Sequence, residues 1–195
     1  MVSYGIDGAG HLDLTPCFMH SGYDMLAVEG IARAYYFAEL IRLHAWDGTR
    51  VRGMDSERKF RHLVCKHGRD GGILNPLVDL DLKRIGLLPR LKEVVEGRTR
   101  ADVYAQTSRR GTDKIEIVTS GVDANYMVVL GCVKGSYIVR SAYPAARRYL
   151  ERVMRTSAFV ESILPAHAQR KSPGYRAPRQ AKSKALSNGS ELNCA

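Results

Sequence analysis

The chain has 195 residues, of which 45% are hydrophobic and 26% are charged, as in an ordinary folded soluble protein. Its 30 Lys and Arg residues outnumber 20 Asp and Glu residues, and the formal net charge of +10 favours association with phosphate polymers or anionic membranes. A chain of this length needs no disulfide scaffold, and its four cysteines contain no CxxC pair, which argues against a zinc knuckle.

The chain shows no targeting or membrane segment. Residues 1–20 lack the basic start and apolar run of a secretory signal. No apolar stretch approaches the roughly 20 residues that span a bilayer. We therefore expect a cytoplasmic protein with no membrane partner, or one delivered into the cytoplasm of a target cell. A soluble protein with a basic tail remains the simplest alternative.

The first half of the chain is predicted to be helical. Residues 1–20 have no hydrophobic period and are expected to form a loosely ordered leader. Apolar residues at helical spacing predict a helix over 23–44, with Asp24 as its N-cap. A second helix is predicted over 56–66, starting at Ser56. Shorter helical pieces are predicted at 77–85 and 88–96.

The second half changes to β-branched and aromatic runs typical of strands. Four strands are predicted, at 103–107, 114–119, 126–133 and 136–143. Lys134 and Gly135 between the last two predict a hairpin with Gly135 at positive φ. The short connections favour antiparallel pairing, because parallel strands need a long crossover. Pro144 ends the fourth strand, and a basic helix is predicted over 145–160.

This order of elements predicts an α+β fold, in which N-terminal helices pack on a curved antiparallel sheet of about four strands, followed by a C-terminal helix. Three parts are expected along the chain. Residues 1–50 form an N-terminal helical segment, and residues 51–162 form the α+β domain. Residues 163–195 are rich in Arg, Lys, Ser and Pro and are predicted to be a disordered basic tail.

The first candidate site lies in the predicted second helix and the residues after it, in the string RHLVCKHGR at 61–69. Histidine titrates near neutrality and is the commonest proton-transfer side chain. His62 and His67 are five residues apart, about 140° around a helix, so they share a face only if the helix unwinds at Gly68. Two solvent-exposed histidines on a basic helix are the alternative interpretation.

The second candidate site is the fourth strand. The alternation of a strand places Arg140 on one face with Ile138 and Ala142. A guanidinium group suits phosphate oxygens, although an arginine at the sheet edge would fit the pattern equally. On a neighbouring strand Lys114 and Glu116 share a face. Glu116 is either a general base or one residue of a solvent-exposed sheet face.

The strings RHLVCKHG, LLPRLKEVVEG and YIVRSAYP, at about 55–145, resemble the barnase, EndoU, colicin and RelE-like nuclease superfamily, as found in phage proteins and bacterial toxin C-terminal domains. The resemblance implies a metal-independent endoribonuclease that needs no cofactor. It also implies RNA as substrate, tRNA among the candidates, and an immunity or antitoxin protein as partner. The closing RSAYP string is its most specific part, although Ser141 stands where threonine is frequent.

Carried over residue by residue, the resemblance gives either His67 or His62 as the helix histidine, and Arg140, Ser141 and Tyr143 at the end of the strand. The catalytic lysine of some members corresponds to Lys134 or Lys114, or is absent. The other cations of the first candidate site, Arg61, Lys66 and Arg69, are expected to bind RNA together with Lys114. Such an enzyme needs a base for the 2′-hydroxyl proton, an acid for the leaving oxygen and cations for the phosphoryl charge.

Three other functions stay open. A non-catalytic nucleic-acid-binding module on the same fold would show salt-sensitive binding without turnover. An interaction protein of a phage or mobile element would dock through its N-terminal helices. An ADP-ribosyltransferase is a more distant alternative, because the sequence has no convincing catalytic glutamate.

Overall fold

The computed structural model describes residues 3–66, 74–108, 111–119 and 126–165. Within these ranges the chain forms six α-helices, a six-stranded mixed sheet and a two-stranded ribbon, which confirms the α+β class. The helices are α1 Met25–Tyr35, α2 Glu57–Val64, α3 Pro76–Asp79, α4 Leu82–Gly86, α5 Leu88–Val95 and α6 Arg147–Thr156. The strands are β1 Phe18–Met19, β2 Gly22–Tyr23, β3 Val51–Arg52, β4 Ala101–Ser108, β5 Gly111–Thr119, β6 Tyr126–Val133, β7 Ser136–Pro144 and β8 Ala158–Ile163.

The large sheet has the strand order β3-β7-β6-β5-β4-β8. The four predicted strands correspond to β4–β7 and pair antiparallel in sequence order, as expected. The prediction of about four antiparallel strands is wrong at both edges. There β3 adds parallel to β7, and β8 adds antiparallel to β4.

The β6–β7 connection is the predicted hairpin. Lys134 has φ 45° and Gly135 has φ 68°. Two consecutive residues at positive φ are the requirement of a type I′ turn, whose twist matches that of the strands it joins. The turn fixes the register in which Val133 opposes Ser136 and Cys132 opposes Tyr137.

Two of the helix starts are capped as predicted. The Asp24 carboxylate accepts hydrogen bonds from the backbone N–H groups of Leu26 and Ala27, and the Ser56 hydroxyl accepts from that of Lys59. The first helix is shorter than predicted, because α1 passes into a π-helical turn at Tyr36–Leu40 and the chain then reverses toward β3.

One face of the sheet carries the main core. Helices α1, α2, α4 and α5 bury their apolar sides against it. The leader predicted at 1–20 is ordered over residues 3–20, because Leu12 and Cys17 are buried in the same core. Residues on both sides of position 50 therefore contribute to one hydrophobic cluster.

The opposite face of the sheet, called the outer face below, carries a smaller cluster. Helix α6 lays Val153 against outward-facing residues of β4, β5 and β6. These residues are Tyr104, Val118, Met127 and Val129. The C-terminal helix is thus confirmed, but it ends at Thr156 instead of residue 160, because the chain returns as β8 along the sheet edge.

The sheet curls toward the main core. The Trp46 ring stacks on Tyr137 of β7 at 5.8 Å between centroids, while its Nε1 donates a hydrogen bond of 2.7 Å to Glu161 of β8. In a flat sheet β7 and β8 would lie four strand spacings apart, about 19 Å. Because side chains stand roughly perpendicular to a sheet, one indole reaching both strands indicates strong curvature.

Candidate functional site

A β-bulge lies at Arg140. Val129 of β6 pairs with Ser141 of β7, but the next residue, Leu130, pairs with Val139, which leaves Arg140 as the extra residue. The predicted alternation is therefore wrong beyond this point: Ala142 lies in the main core with Val139 instead of sharing a face with Arg140. Bulges of this kind redirect a side chain without ending the strand pairing.

The bulge directs the Arg140 side chain across the neighbouring strand β6. A Cβ atom added to Gly131 would lie only 2.4 Å from Nε of Arg140, so the guanidinium lies directly over this glycine. Gly131 is on the outer face, because Leu130 beside it points into the main core. Arg140 is exposed, and it forms no ion pair with any residue that the structure describes.

The second cation of this region is Lys114, which is held in place by the buried carboxylate of Glu116. Nζ of Lys114 lies 2.9 Å from Oε1 of Glu116, and the Ser157 hydroxyl donates a hydrogen bond of 2.8 Å to Oε2. Glu116 is only 2% exposed, so the expectation of a solvent-exposed carboxylate is wrong. The predicted sharing of one face by Lys114 and Glu116 is confirmed. Because Glu116 is enclosed, it positions Lys114 and does not itself reach solvent.

These residues align across the sheet. Arg52 of β3 pairs with Ile138 of β7, and Gly131 of β6 pairs with both Ile138 and Lys114 of β5. Arg52 points to the outer face because its neighbour Val51 is buried in the core. Three cations therefore cross the outer face in one line, which we call the cationic row: Arg52, Arg140 over Gly131, and Lys114.

Aromatic side chains lie on the same outer face, away from the cationic row: Phe159 is two strands from Lys114, and Tyr143 pairs with Met127, two outer-face positions from Gly131. Phe159 of β8 is 58% exposed and packs edge-on against Tyr104, an outer-face residue of β4. Tyr143 packs against Tyr149 of α6 at 6.0 Å between centroids. Burial, followed by a hydrogen bond with Tyr149, raises the pKa of Tyr143 above its usual range, so the phenol stays protonated at neutral pH.

His62 meets the same segment of β7 from the other side. Because β3 ends opposite Ile138, the next two carbonyl groups of β7 lack a strand partner. Nζ of Lys59 donates to the carbonyl oxygen of Val139 at 2.7 Å, and Nε2 of His62 donates to that of Arg140 at 2.6 Å. Two side chains of α2 thus satisfy the β7 carbonyl groups that no strand pairs with. His62 meets Arg140 through its backbone, while the guanidinium points away over β6.

The remaining predicted residues are scattered. His67 and Arg69 lie outside the described residues. Arg61 is half-buried and lies 3.4 Å from Glu57, and Lys66 is exposed beyond the end of α2. Lys134 is exposed at the tip of the β6–β7 turn, and Ser141 is half-buried on β7.

Sequence reasoning missed Arg52, Lys59 and Ser157. The alternation of Arg50, Val51 and Arg52 is a strand signal, but two residues are too few to recognise. The roles of Lys59 and Ser157 depend on contacts with residues 80 and 41 positions away.

Across the described part of the chain, no group of three or more His, Cys, Asp or Glu side chains gathers as metal ligands. No described helix has the length and apolar character needed to cross a bilayer. Comparison with known proteins finds no matching family model, no matching curated protein and no matching solved structure.

Proposed function

We propose that this chain binds single-stranded RNA through the cationic row on the outer face of its sheet. The observation that carries the proposal is the Arg140 guanidinium, held over Gly131 beside Lys114 and without an ion-pair partner among the described residues. A guanidinium in this state has its N–H donors available for phosphate oxygens. The net charge of +10 would speed the encounter.

The surroundings of the row favour a single strand. Helix α6 covers the neighbouring part of the outer face, so the open strip is narrow. Exposed Phe159 offers a ring on which a base can stack, which is a common way of binding unpaired nucleotides. A sheet that presents both cations and an aromatic ring is suited to contact backbone and bases together.

The test is the affinity of the full chain for a fluorescein-labelled 12-nucleotide RNA, measured by anisotropy at two salt concentrations. Arg140→Gln should weaken binding about tenfold, or about 1.4 kcal/mol, and lower the salt dependence. The matched control is Lys83→Gln, an exposed cation on α4, which should bind as the wild type does. Equal affinities for wild type and Arg140→Gln would overturn the proposal.

A second candidate function is metal-independent cleavage of the bound RNA. The specific observation in its favour is His62, whose ring adjoins Arg140 through the contact with the carbonyl group. With Nε2 engaged, Nδ1 is the ring atom left to take the proton of the 2′-hydroxyl, and the imidazolium so formed returns it to the leaving 5′-oxygen as the P–O bond breaks. Phosphoryl charge built up by attack of the 2′-hydroxyl would meet the Arg140 guanidinium only after this exposed side chain turns from Gly131 toward the sheet edge.

Cleavage is tested by incubating the purified full chain with RNA in EDTA. His62→Gln keeps an N–H donor for the Arg140 carbonyl but cannot transfer protons, so it should lower the rate at least a hundredfold. The matched control is His20→Gln, an exposed histidine between β1 and β2, which should leave the rate unchanged. If the wild-type chain binds RNA without cleaving it, the binding proposal stands and the ribonuclease does not.

A further inference from the structure

A pocket of about 480 Å³ lies at the outer edge of the sheet, beside β3. It is formed where the chain leaves the π-helical turn and returns as β3. Its lining residues are Ile41, Arg42, Arg50, Val51, Arg52, Gly53, Met54 and Asp55. Three of these eight residues are arginines and one is acidic, so the lining carries a net charge of +2 at neutral pH.

The three arginines are exposed, and within the described ranges none of them forms an ion pair. Other arginines in this part of the chain are ion-paired: Arg33 and Arg61 both contact the carboxylate of Glu57. Three unneutralised guanidinium groups close together repel one another, so their arrangement favours an anion between them. Each arginine can form a bidentate contact with phosphate oxygens. Arginines grouped in one pocket can contact the same phosphate, whereas cations spread over a surface cannot.

The backbone beneath the arginines is fixed by pairing on both sides. The N–H of Val51 donates to the carbonyl oxygen of Leu43, and the N–H of Tyr137 donates to that of Arg50. The buried side chain of Val51 anchors the strand, so Arg50 and Arg52 are both directed away from the core. The pocket is therefore built into the fold.

We infer that this arginine pocket is a second phosphate-binding position for the RNA strand that the cationic row binds. This inference rests on the proposed function and adds the path that the RNA strand takes across the sheet. Arg52 belongs to both the pocket and the row, which makes the two surfaces continuous. From β3 to β6 the distance is two strand spacings, about 10 Å, so one RNA strand crosses β7 between the two positions.

The test compares two double variants of the full chain with equal loss of charge. Arg42→Gln/Arg50→Gln removes the two cations of the pocket that are not part of the cationic row, and Lys83→Gln/Arg100→Gln removes two exposed cations elsewhere. The readout is the slope of log Kd against log salt for the 12-nucleotide RNA. Each lost phosphate contact on a single strand lowers the slope by about 0.7, so the pocket variant should lose about 1.4 and the control nothing.

The outcomes separate the two proposals. A normal slope in the pocket variant, or the same loss in the control, would overturn the arginine pocket while leaving Arg140→Gln to decide on the cationic row. Absence of RNA binding by the wild-type chain would overturn both. Thermal unfolding of all variants should match the wild type, because every substituted side chain is exposed and forms no ion pair with the described residues.

Discussion

At the level of a single residue, substitution of Gly131 should change RNA binding without changing the stability of the fold. Alanine at this position would place its methyl group 2.4 Å from Nε of Arg140, so the guanidinium must leave the strand. The displaced atoms are the end of a flexible exposed side chain, and replacing glycine in a strand reduces unfolded-state entropy. We therefore expect Gly131→Ala to weaken RNA binding about as much as Arg140→Gln, without lowering Tm.

The control for this variant is Gly86→Ala. A methyl group at this position would have no atom within 4 Å, and Gly86 is remote from the outer face at the end of α4. Anisotropy should show wild-type affinity for Gly86→Ala. If Gly131→Ala keeps full affinity, the placement of Arg140 over β6 has no part in binding.

Glu116 gives a prediction for stability. Glu116→Gln leaves the Lys114 ammonium beside a neutral amide, and the Lys114 side chain is only 26% exposed. Because hydrogen bonds with charged partners contribute about 1.5–3 kcal/mol and Lys114 retains some hydration, we expect a loss of about 1–2 kcal/mol in urea unfolding. Glu151→Gln, which breaks an exposed pair with Arg147, should change stability by less than about 0.5 kcal/mol. Similar losses in both variants would contradict this account.

At the level of the elements, α1 and α2 are joined by an ion pair that acid should break. Arg33 donates hydrogen bonds of 2.7 and 2.6 Å to the two carboxylate oxygens of Glu57. The hydrogen bonds from Arg33 hold the pKa of Glu57 below its usual range. Since the unfolded value is about 4.3, this stabilisation is complete above that pH and is lost as the pH falls through the lower folded pKa.

We expect the wild-type chain to lose stability more steeply than Glu57→Gln as the pH falls below about 4. Urea unfolding at a series of pH values gives the free energy of unfolding against pH for the wild type and for Glu57→Gln. The other carboxylates contribute equally to both curves, so the difference between the curves reports on Glu57 alone. The pair is partly exposed, so the difference should shrink at high salt. Parallel curves would show that the ion pair adds nothing to stability.

The elements also show what the sequence could reveal. The central strands were predictable because β-branched runs and a Lys-Gly turn determine them locally. Strand β8 was not predicted, and the helix expected over 145–160 overlaps its first three residues, because a strand exposed along most of its length has no apolar alternation. Strand β3 has two residues and forms through pairing with β7, a contact across 86 positions.

The candidate site was predictable only in part. Arg140 and Lys114 were recognised from their residue types on β7 and β5, the two strands that flank β6. The bulge at Arg140, the burial of Glu116 and the unpaired arginines beside β3 depend on tertiary contacts and leave no local pattern. Of the two candidate histidines, His62 meets the backbone of Arg140 at the sheet edge, and His67 lies outside the described residues.

At the level of the whole molecule, Trp46 links the two ends of the curled sheet. Trp46→Phe keeps a ring to stack on Tyr137 but removes the N–H that Glu161 accepts. Because Glu161 is exposed and can bind water instead, we expect a loss of about 1 kcal/mol in urea unfolding. Glu161→Gln retains an acceptor and should lose less. If Trp46→Phe is as stable as the wild type, this hydrogen bond does not contribute to closing the sheet.

The position of Trp46 also allows its fluorescence to report on the separation of β7 and β8. The chain contains one tryptophan beside ten tyrosines, so fluorescence excited at wavelengths that tyrosine does not absorb comes from one residue, which stacks on β7 and forms a hydrogen bond with β8. Separation of these strands would hydrate the indole and shift its emission to longer wavelength. Stopped-flow fluorescence can therefore follow the opening of the sheet without any label.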